Sequence, residues 1–153
     1  MKKLIALMIL YLMFRGGRKL LTDKEKEIDV LARTIWGEAR GEGTRGMQAV
    51  ANVIMNRVNA LSWFGNTIEG VCKKPYQFSC WNANDPNSSL CQQVNATDVQ
   101  FQQCKNIATL AVNGRLADIT NGANHYHAVG IRPNWADDSK KTVTIGNHVF
   151  YKL

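Results

Sequence analysis

Two glutamates four residues apart, Glu38 and Glu42, lie in the stretch Trp36-Gly37-Glu38-Ala39-Arg40-Gly41-Glu42-Gly43. A carboxyl group can give a proton to a leaving oxygen and later take one back, provided its surroundings raise its pKa toward neutrality. Glu38 has such surroundings in prospect. A helical pattern runs into it, and the negative end of a helix dipole disfavours a carboxylate. Trp36 and nearby apolar residues would add desolvation. Glycines surround Glu42 and leave its separation from Glu38 open. The stretch therefore reads as an acid/base centre, with Glu38 as the main catalytic candidate and Glu42 as the second.

The flanking elements must position these acids. Thr22-Asp-Lys-Glu25 has the form of a capping box, and Ile28, Leu31, Ala32 and Ile35 follow at helical spacing. This helix delivers Trp36 and Glu38 at its C-terminal end, and Gly41 and Gly43 break it. A second helix is expected from near Arg45, with Met47, Val50, Ile54, Val58 and Leu61 as its apolar stripe. Gln48, Asn52 and Asn56 form a row of carboxamides at a spacing of four. The row reads either as a solvated face or, for Asn52 and Asn56, as part of a groove that binds hydroxyl and N-acetyl groups. A third helix is expected over Asp98 to Asn113, capped by Thr97 or Asp98 and stopped by Gly114.

Between the second and third helices, residues 62–97 have little periodicity. Gln77-Phe78-Ser79-Cys80-Trp81 combines aromatic and hydrogen-bonding groups as a carbohydrate groove does, with Gln77 and Trp81 the candidates and Phe78 a core residue. Irregular stretches of this length are uncommon unless functional or stapled. Four cysteines, Cys72, Cys80, Cys91 and Cys104, lack the close-set pairs of a structural zinc site. An even count suggests two disulfides in an oxidising compartment. Three connectivities are open; Cys72–Cys80 with Cys91–Cys104 closes two short loops and is the expected one.

The C-terminal region changes to period two. His125-Tyr126-His127 alternates, and so do Thr142–Ile145 and His148–Tyr151 around Gly146-Asn147, a hairpin signal. A small antiparallel sheet is expected, giving an α+β fold that is mainly helical. His125 and His127 project to one side of their strand, as two metal ligands or two cleft-lining groups would. A metal would need a third ligand that the sequence does not identify, so cleft lining is preferred and no metal or cofactor is expected.

The chain has 153 residues, 45% hydrophobic and 20% charged, consistent with one globular domain over residues 21–153. The net charge of +7 is concentrated at the start: residues 1–20 hold Lys2, Lys3, Arg15, Arg18 and Lys19 and no acid, leaving +2 for the remainder. A nucleic-acid partner is therefore not expected. Leu4 to Phe14 is an apolar run of 11 residues between basic flanks, too short to span a bilayer at about 20 residues. It reads as a signal sequence or N-terminal membrane anchor and implies export to the periplasm or cell wall. The body is expected to be a monomer.

Cleavage of a glycosidic bond suits these residues. Most glycosidases need a second carboxylate as base or nucleophile, a role open to Glu42. A lytic transglycosylase instead uses the 6-hydroxyl of the substrate itself, giving a 1,6-anhydro sugar with one glutamate as acid and then base. A single well-placed glutamate fits this second mechanism better.

The motifs together resemble a known family, the bacterial and phage cell wall hydrolases typified by spore cortex-lytic enzymes (SleB/CwlJ type). The resemblance runs from about Asp29 to Tyr151. It rests on Leu31-Ala-Arg-Thr-Ile-Trp-Gly-Glu-Ala-Arg-Gly-Glu42, Gln48-Ala-Val-Ala-Asn-Val-Ile-Met-Asn-Arg57, Gln77-Phe-Ser-Cys-Trp81, His125-Tyr-His-Ala128 with Trp135, and Ile145-Gly-Asn-His-Val-Phe150. It implies a lysozyme-like α+β domain that cleaves the glycan strands of peptidoglycan, with Glu38 as the catalytic acid and Glu42 in a supporting role. Asn52, Asn56, Gln77, Trp81, His125, Tyr126, His127 and Trp135 are then the candidate groove residues. The four cysteines and the two histidines depart from spore-cortex members and favour a phage endolysin or an exported bacterial lysin. The alternatives are a hydrolytic muramidase or glucosaminidase using a second carboxylate, a non-catalytic peptidoglycan-binding module, and a metal-dependent amidase built on His125 and His127.

Overall fold

A computed structural model describes residues 21–153 of the chain. The expected signal or anchor segment, residues 1–20, lies outside the described residues. Helix α1 spans Asp23–Ala39, and its capping box forms as expected: the Thr22 hydroxyl accepts from the Glu25 amide, and the Glu25 carboxylate accepts from the Thr22 amide. Helix α2 spans Gly43–Asn59. It begins two residues earlier than the sequence pattern suggests, because Gly43 takes a positive φ of 68° that turns the chain straight out of α1. Short helices α3 (Ile68–Cys72) and α4 (Ser88–Gln93) flank a 3-10 turn at Ser79–Trp81. Helix α5 spans Val99–Val112, with the Asp98 side chain accepting from the Phe101 amide as its cap.

Strand β1 (His125–Ala128) pairs antiparallel with β3 (His148–Tyr151), which pairs on its other edge with β2 (Lys141–Ile145). The order is β1-β3-β2, and Gly146-Asn147 forms the β2–β3 turn that the sequence indicates. Among the described residues, no helix is long and apolar enough to cross a membrane.

The main core lies where α1, α2 and α5 meet. Leu31, Ile35, Met47, Val50, Ile54, Phe101 and Ala108 are buried there, together with Val71 and Phe78 from the irregular region. A second cluster joins Ala49 and Val53 of α2 to Ala123, Ile145 and Phe150, seating the sheet on that helix. Apolar faces at helical and strand periods thus meet along α2, which carries one core on each side.

The cysteines depart from expectation. All four are buried and carry free thiols, so the expected pairings Cys72–Cys80 and Cys91–Cys104 are not formed. Cys80, in the 3-10 turn, and Cys91, in α4, bring their sulfurs to the same point beside Gly37 of α1. Short loops in sequence were a poor guide, because the packing of these two elements on α1 decides which sulfurs meet.

Candidate active site

Glu38 occupies the last turn of α1 and is half-buried. Tyr126, at the centre of β1, donates its hydroxyl proton to Glu38 Oε2 at 2.8 Å. Glu38 makes no other hydrogen bond among the described residues, so Oε1 remains the oxygen on which a transferable proton can sit. Burial raises the Glu38 pKa above the usual carboxylate range. The Tyr126 hydrogen bond and the Arg57 guanidinium pull it down, and the charge of Asp85 pushes it up.

Trp36 is not the source of this desolvation. Residues two apart on a helix face different sides, and the Trp36 indole donates to Asp98 Oδ1 at 3.1 Å under the Arg40 guanidinium. The surroundings of Glu38 come instead from β1 and α2. Tyr126 is held against Phe150 and His148, and burial keeps its hydroxyl protonated well above the ordinary phenol range. It is therefore a permanent donor to the carboxyl group.

Arg57 ends the Gln48–Arg57 motif, and its place in the site is visible only in the structure. It is buried, donates to the Asn124 carbonyl at 2.8 Å and to Gln77 Oε1 at 2.9 Å, and stacks over Phe64 and Phe78. Burial lowers its pKa, while the proximity of Tyr126 and Glu38 raises it. A buried arginine in an otherwise apolar helical stripe was the available signal. Gln77 also donates to the Phe64 carbonyl at 2.9 Å and so orients Arg57 from the irregular region. Asp85 was likewise missed; its place near Glu38 comes from the fold of the 82–88 segment, which no spacing rule encodes. It lines an open hollow of about 600 Å³ with Asn84, Ser88 and Gln92.

Glu42 stands apart from this group. Its carboxylate accepts from the Asn147 amide at 3.3 Å and from Asn147 Nδ2 at 3.4 Å, reaching the β2–β3 turn. Asn52 and Asn56 are also engaged by the chain itself. Asn52 is buried, donates to the Ala117 carbonyl and accepts from the Ile119 amide; Asn56 donates to Asp118 Oδ2 and the Ala123 carbonyl. With Gln48, which also donates to Ala117, they fasten the 117–123 segment to α2. The groove alternative for this row gives way to a third use, a clamp on irregular backbone that must be hydrogen-bonded somewhere.

Trp81 is half-buried, donates to the Thr34 hydroxyl at 2.8 Å and lies under the Lys73 ammonium. His125, His127 and Trp135 do gather on one side of β1. Their rings lie 5.2 Å (His125–Trp135) and 5.8 Å (His127–Trp135) apart, with Tyr151 stacked on His127. Tyr126 points to the opposite face, as strand alternation requires. His125 Nδ1 lies 2.8 Å from Asn124 Oδ1, and both nitrogens of His127 are engaged, with the Ala128 carbonyl and the Tyr151 hydroxyl. Among the described residues, no group of three or more His, Cys, Asp or Glu is arranged to hold a metal ion.

Known proteins share the fold and stretches of the sequence. The catalytic domain of the germination-specific lytic transglycosylase SleB from Bacillus anthracis superposes with a TM-score of 0.63 at 29% identity, covering 88% of this chain and 98% of that one. The catalytic domain of the Bacillus cereus SleB protein gives 0.65 at 30% identity, with 90% and 99% covered. The fold is thus lysozyme-like α+β. In sequence, the spore cortex-lytic enzyme of Bacillus cereus is 44% identical over 55 residues, and that of Bacillus subtilis 43% over 53. These stretches cover 36% and 35% of this chain but only 21% and 17% of the relatives, so the chain matches about a fifth of their length. The family model described as Cell Wall Hydrolase matches residues 41–151. On that match, supported across the domain by the solved structures, the chain belongs to the cell wall hydrolase family of SleB/CwlJ type.

Proposed function

We propose that the chain degrades peptidoglycan by cleaving the glycan backbone between N-acetylmuramic acid and N-acetylglucosamine, as a lytic transglycosylase. The observation that carries this reading is the solitary Glu38, desolvated and held by Tyr126, while Glu42 is tied to the β2–β3 turn. The reading also draws on the SleB catalytic domain from B. anthracis, described as a lytic transglycosylase. Glu38 gives its proton to the glycosidic oxygen as the C1–O bond breaks. The resulting carboxylate takes the proton of the substrate 6-hydroxyl as that oxygen bonds to C1. The products are a free GlcNAc hydroxyl and a 1,6-anhydromuramoyl end, and no water is consumed.

Tyr126 holds the carboxyl group through this cycle and the charge of Arg57 favours its ionised form, while Trp135 with His125 and His127 offers an aromatic surface for sugar rings on the other face of β1. Digestion of purified peptidoglycan with mass spectrometry of the fragments tests the reading. Anhydromuramic ends are expected, with a loss of about 10²–10⁴-fold in Glu38→Gln, the usual size of a general-acid contribution. Unchanged activity in that variant would remove Glu38 from the mechanism.

Reducing muramic ends instead of anhydromuramic ones would convert the reading to a hydrolase that uses a second carboxylate. The proposed setting is the periplasm or cell wall of an exported monomer, with residues 1–20 as signal or anchor and residues 21–153 as the catalytic domain, in an endolysin or a bacterial lysin. Size-exclusion chromatography and N-terminal sequencing of the exported protein test these points.

A further inference from the structure

Gly37 precedes Glu38 on α1, and the space its missing side chain leaves is filled by sulfur. A Cβ at position 37 would stand 2.8 Å from Cys80 Cβ, 3.0 Å from Cys80 Sγ and 3.5 Å from Cys91 Sγ. Both sulfurs therefore converge on one point of the helix surface, from the 3-10 turn and from α4. Both residues are fully buried, so packing holds each thiol in place. The Cys91 thiol donates to the Arg33 carbonyl at 3.0 Å. Cys72 and Cys104 are buried in the same core, and the three atoms nearest the Gly37 position all belong to Cys80 and Cys91.

We propose that Cys80 and Cys91 are a thiol modification site, joined as a disulfide when the chain folds in an oxidising compartment, with Cys72 and Cys104 left as thiols. The co-reactant is a small-molecule or protein disulfide. The Cys91 thiolate attacks one of its sulfurs and releases one thiol. The Cys80 thiolate then attacks Cys91 Sγ of the mixed disulfide and releases the second. Two protein thiols and one external disulfide thus become one protein disulfide and two external thiols. Burial of both sulfurs implies that exchange occurs during folding rather than on the finished surface.

The bond would fasten the 3-10 turn to α4 and close the intervening segment, residues 82–90. That segment carries Asp85, and its Asn87 accepts from Arg40 at the end of α1. The bond would thus brace the wall beside Glu38 without touching the carboxyl group.

Reduced, denatured full chain refolded in a glutathione redox buffer, then blocked with N-ethylmaleimide in denaturant, tests the assignment. Cleavage with trypsin and Asp-N puts Cys72, Cys80, Cys91 and Cys104 on separate peptides, because Lys73, Asp85 and Asp98 separate them. The expected result is one cross-linked pair, residues 74–84 with 85–97, and alkylated Cys72 and Cys104. Four alkylated cysteines, or a link involving Cys72 or Cys104, would overturn the proposal. Oxidised protein should melt about 10 °C above the reduced form, the order expected for closing a loop of this size. That difference should vanish in Cys80→Ser and persist in Cys72→Ala. A difference that persists in Cys80→Ser would also overturn the assignment. If Cys80→Ser does not fold, the peptide map of the natural chain decides alone.

Discussion

Glu38 has a raised pKa from burial and a counterweight from Tyr126, and the two can be separated by one oxygen atom. Tyr126→Phe keeps the ring against Phe150 and removes only the donor to Glu38 Oε2. That hydrogen bond favours the carboxylate, so its loss pushes the Glu38 pKa further up. A proton donor must be protonated at the start of the cycle. The alkaline limb of the pH–rate profile should therefore move to higher pH in Tyr126→Phe. The rate at the optimum should fall about 10-fold as the carboxyl group loses its orientation. The full profile on peptidoglycan checks both. An alkaline limb that moves down, or stays fixed, would mean that Tyr126 acts on the substrate rather than on Glu38.

At the scale of elements, the helices and the hairpin were legible because their signals are local. The Thr22–Glu25 box, the Asp98 cap and the Gly146-Asn147 turn involve residues within a few positions of one another. The uses of Asn52, Asn56 and Cys80 were not, since each depends on a partner far along the chain or in an irregular segment. A carboxamide row at a spacing of four looks the same whether it meets sugar, water or the 117–123 backbone. Glu42 belongs to this class. Its two long hydrogen bonds to Asn147, and the position of Gly146, where a Cβ would stand 3.1 Å from Glu42 Oε2, make it a strut between the α1–α2 turn and the hairpin. Removing the strut should cost about 1 kcal/mol, so Glu42→Ala should melt a few degrees lower. It should keep activity within about 3-fold, since the carboxyl group lost contributes binding to the hairpin rather than proton transfer. Thermal melts and peptidoglycan turnover read the two effects separately. Loss of activity on the scale of Glu38→Gln with an unchanged melt would return Glu42 to the catalytic pair.

For the whole molecule, the same burial that prepares Glu38 for catalysis works against folding. Its pKa is raised in the folded chain relative to the unfolded one. The folded state therefore binds more protons than the unfolded state between the ordinary carboxylate range and the raised value. Stability from this group is present in full below the ordinary range and is lost as pH rises through the raised value. Arg57 and Tyr126 limit the loss but do not reverse it, because desolvation is the larger effect. Glu38→Gln replaces the titrating group with a neutral one of the same shape that can still accept from Tyr126. The variant should lose activity yet melt higher than the natural chain at neutral pH, and the advantage should shrink as pH falls toward the carboxylate range. Other carboxylates, such as Asp118 with its pKa lowered by hydrogen bonds from Thr120 and Asn56 despite opposing desolvation, titrate alike in both proteins and cancel in the difference. Paired melting curves across pH measure that difference directly. A variant less stable than the natural chain at neutral pH would mean that Glu38 is ionised and favourably held in the free enzyme, which is the state of a base and not of a proton donor.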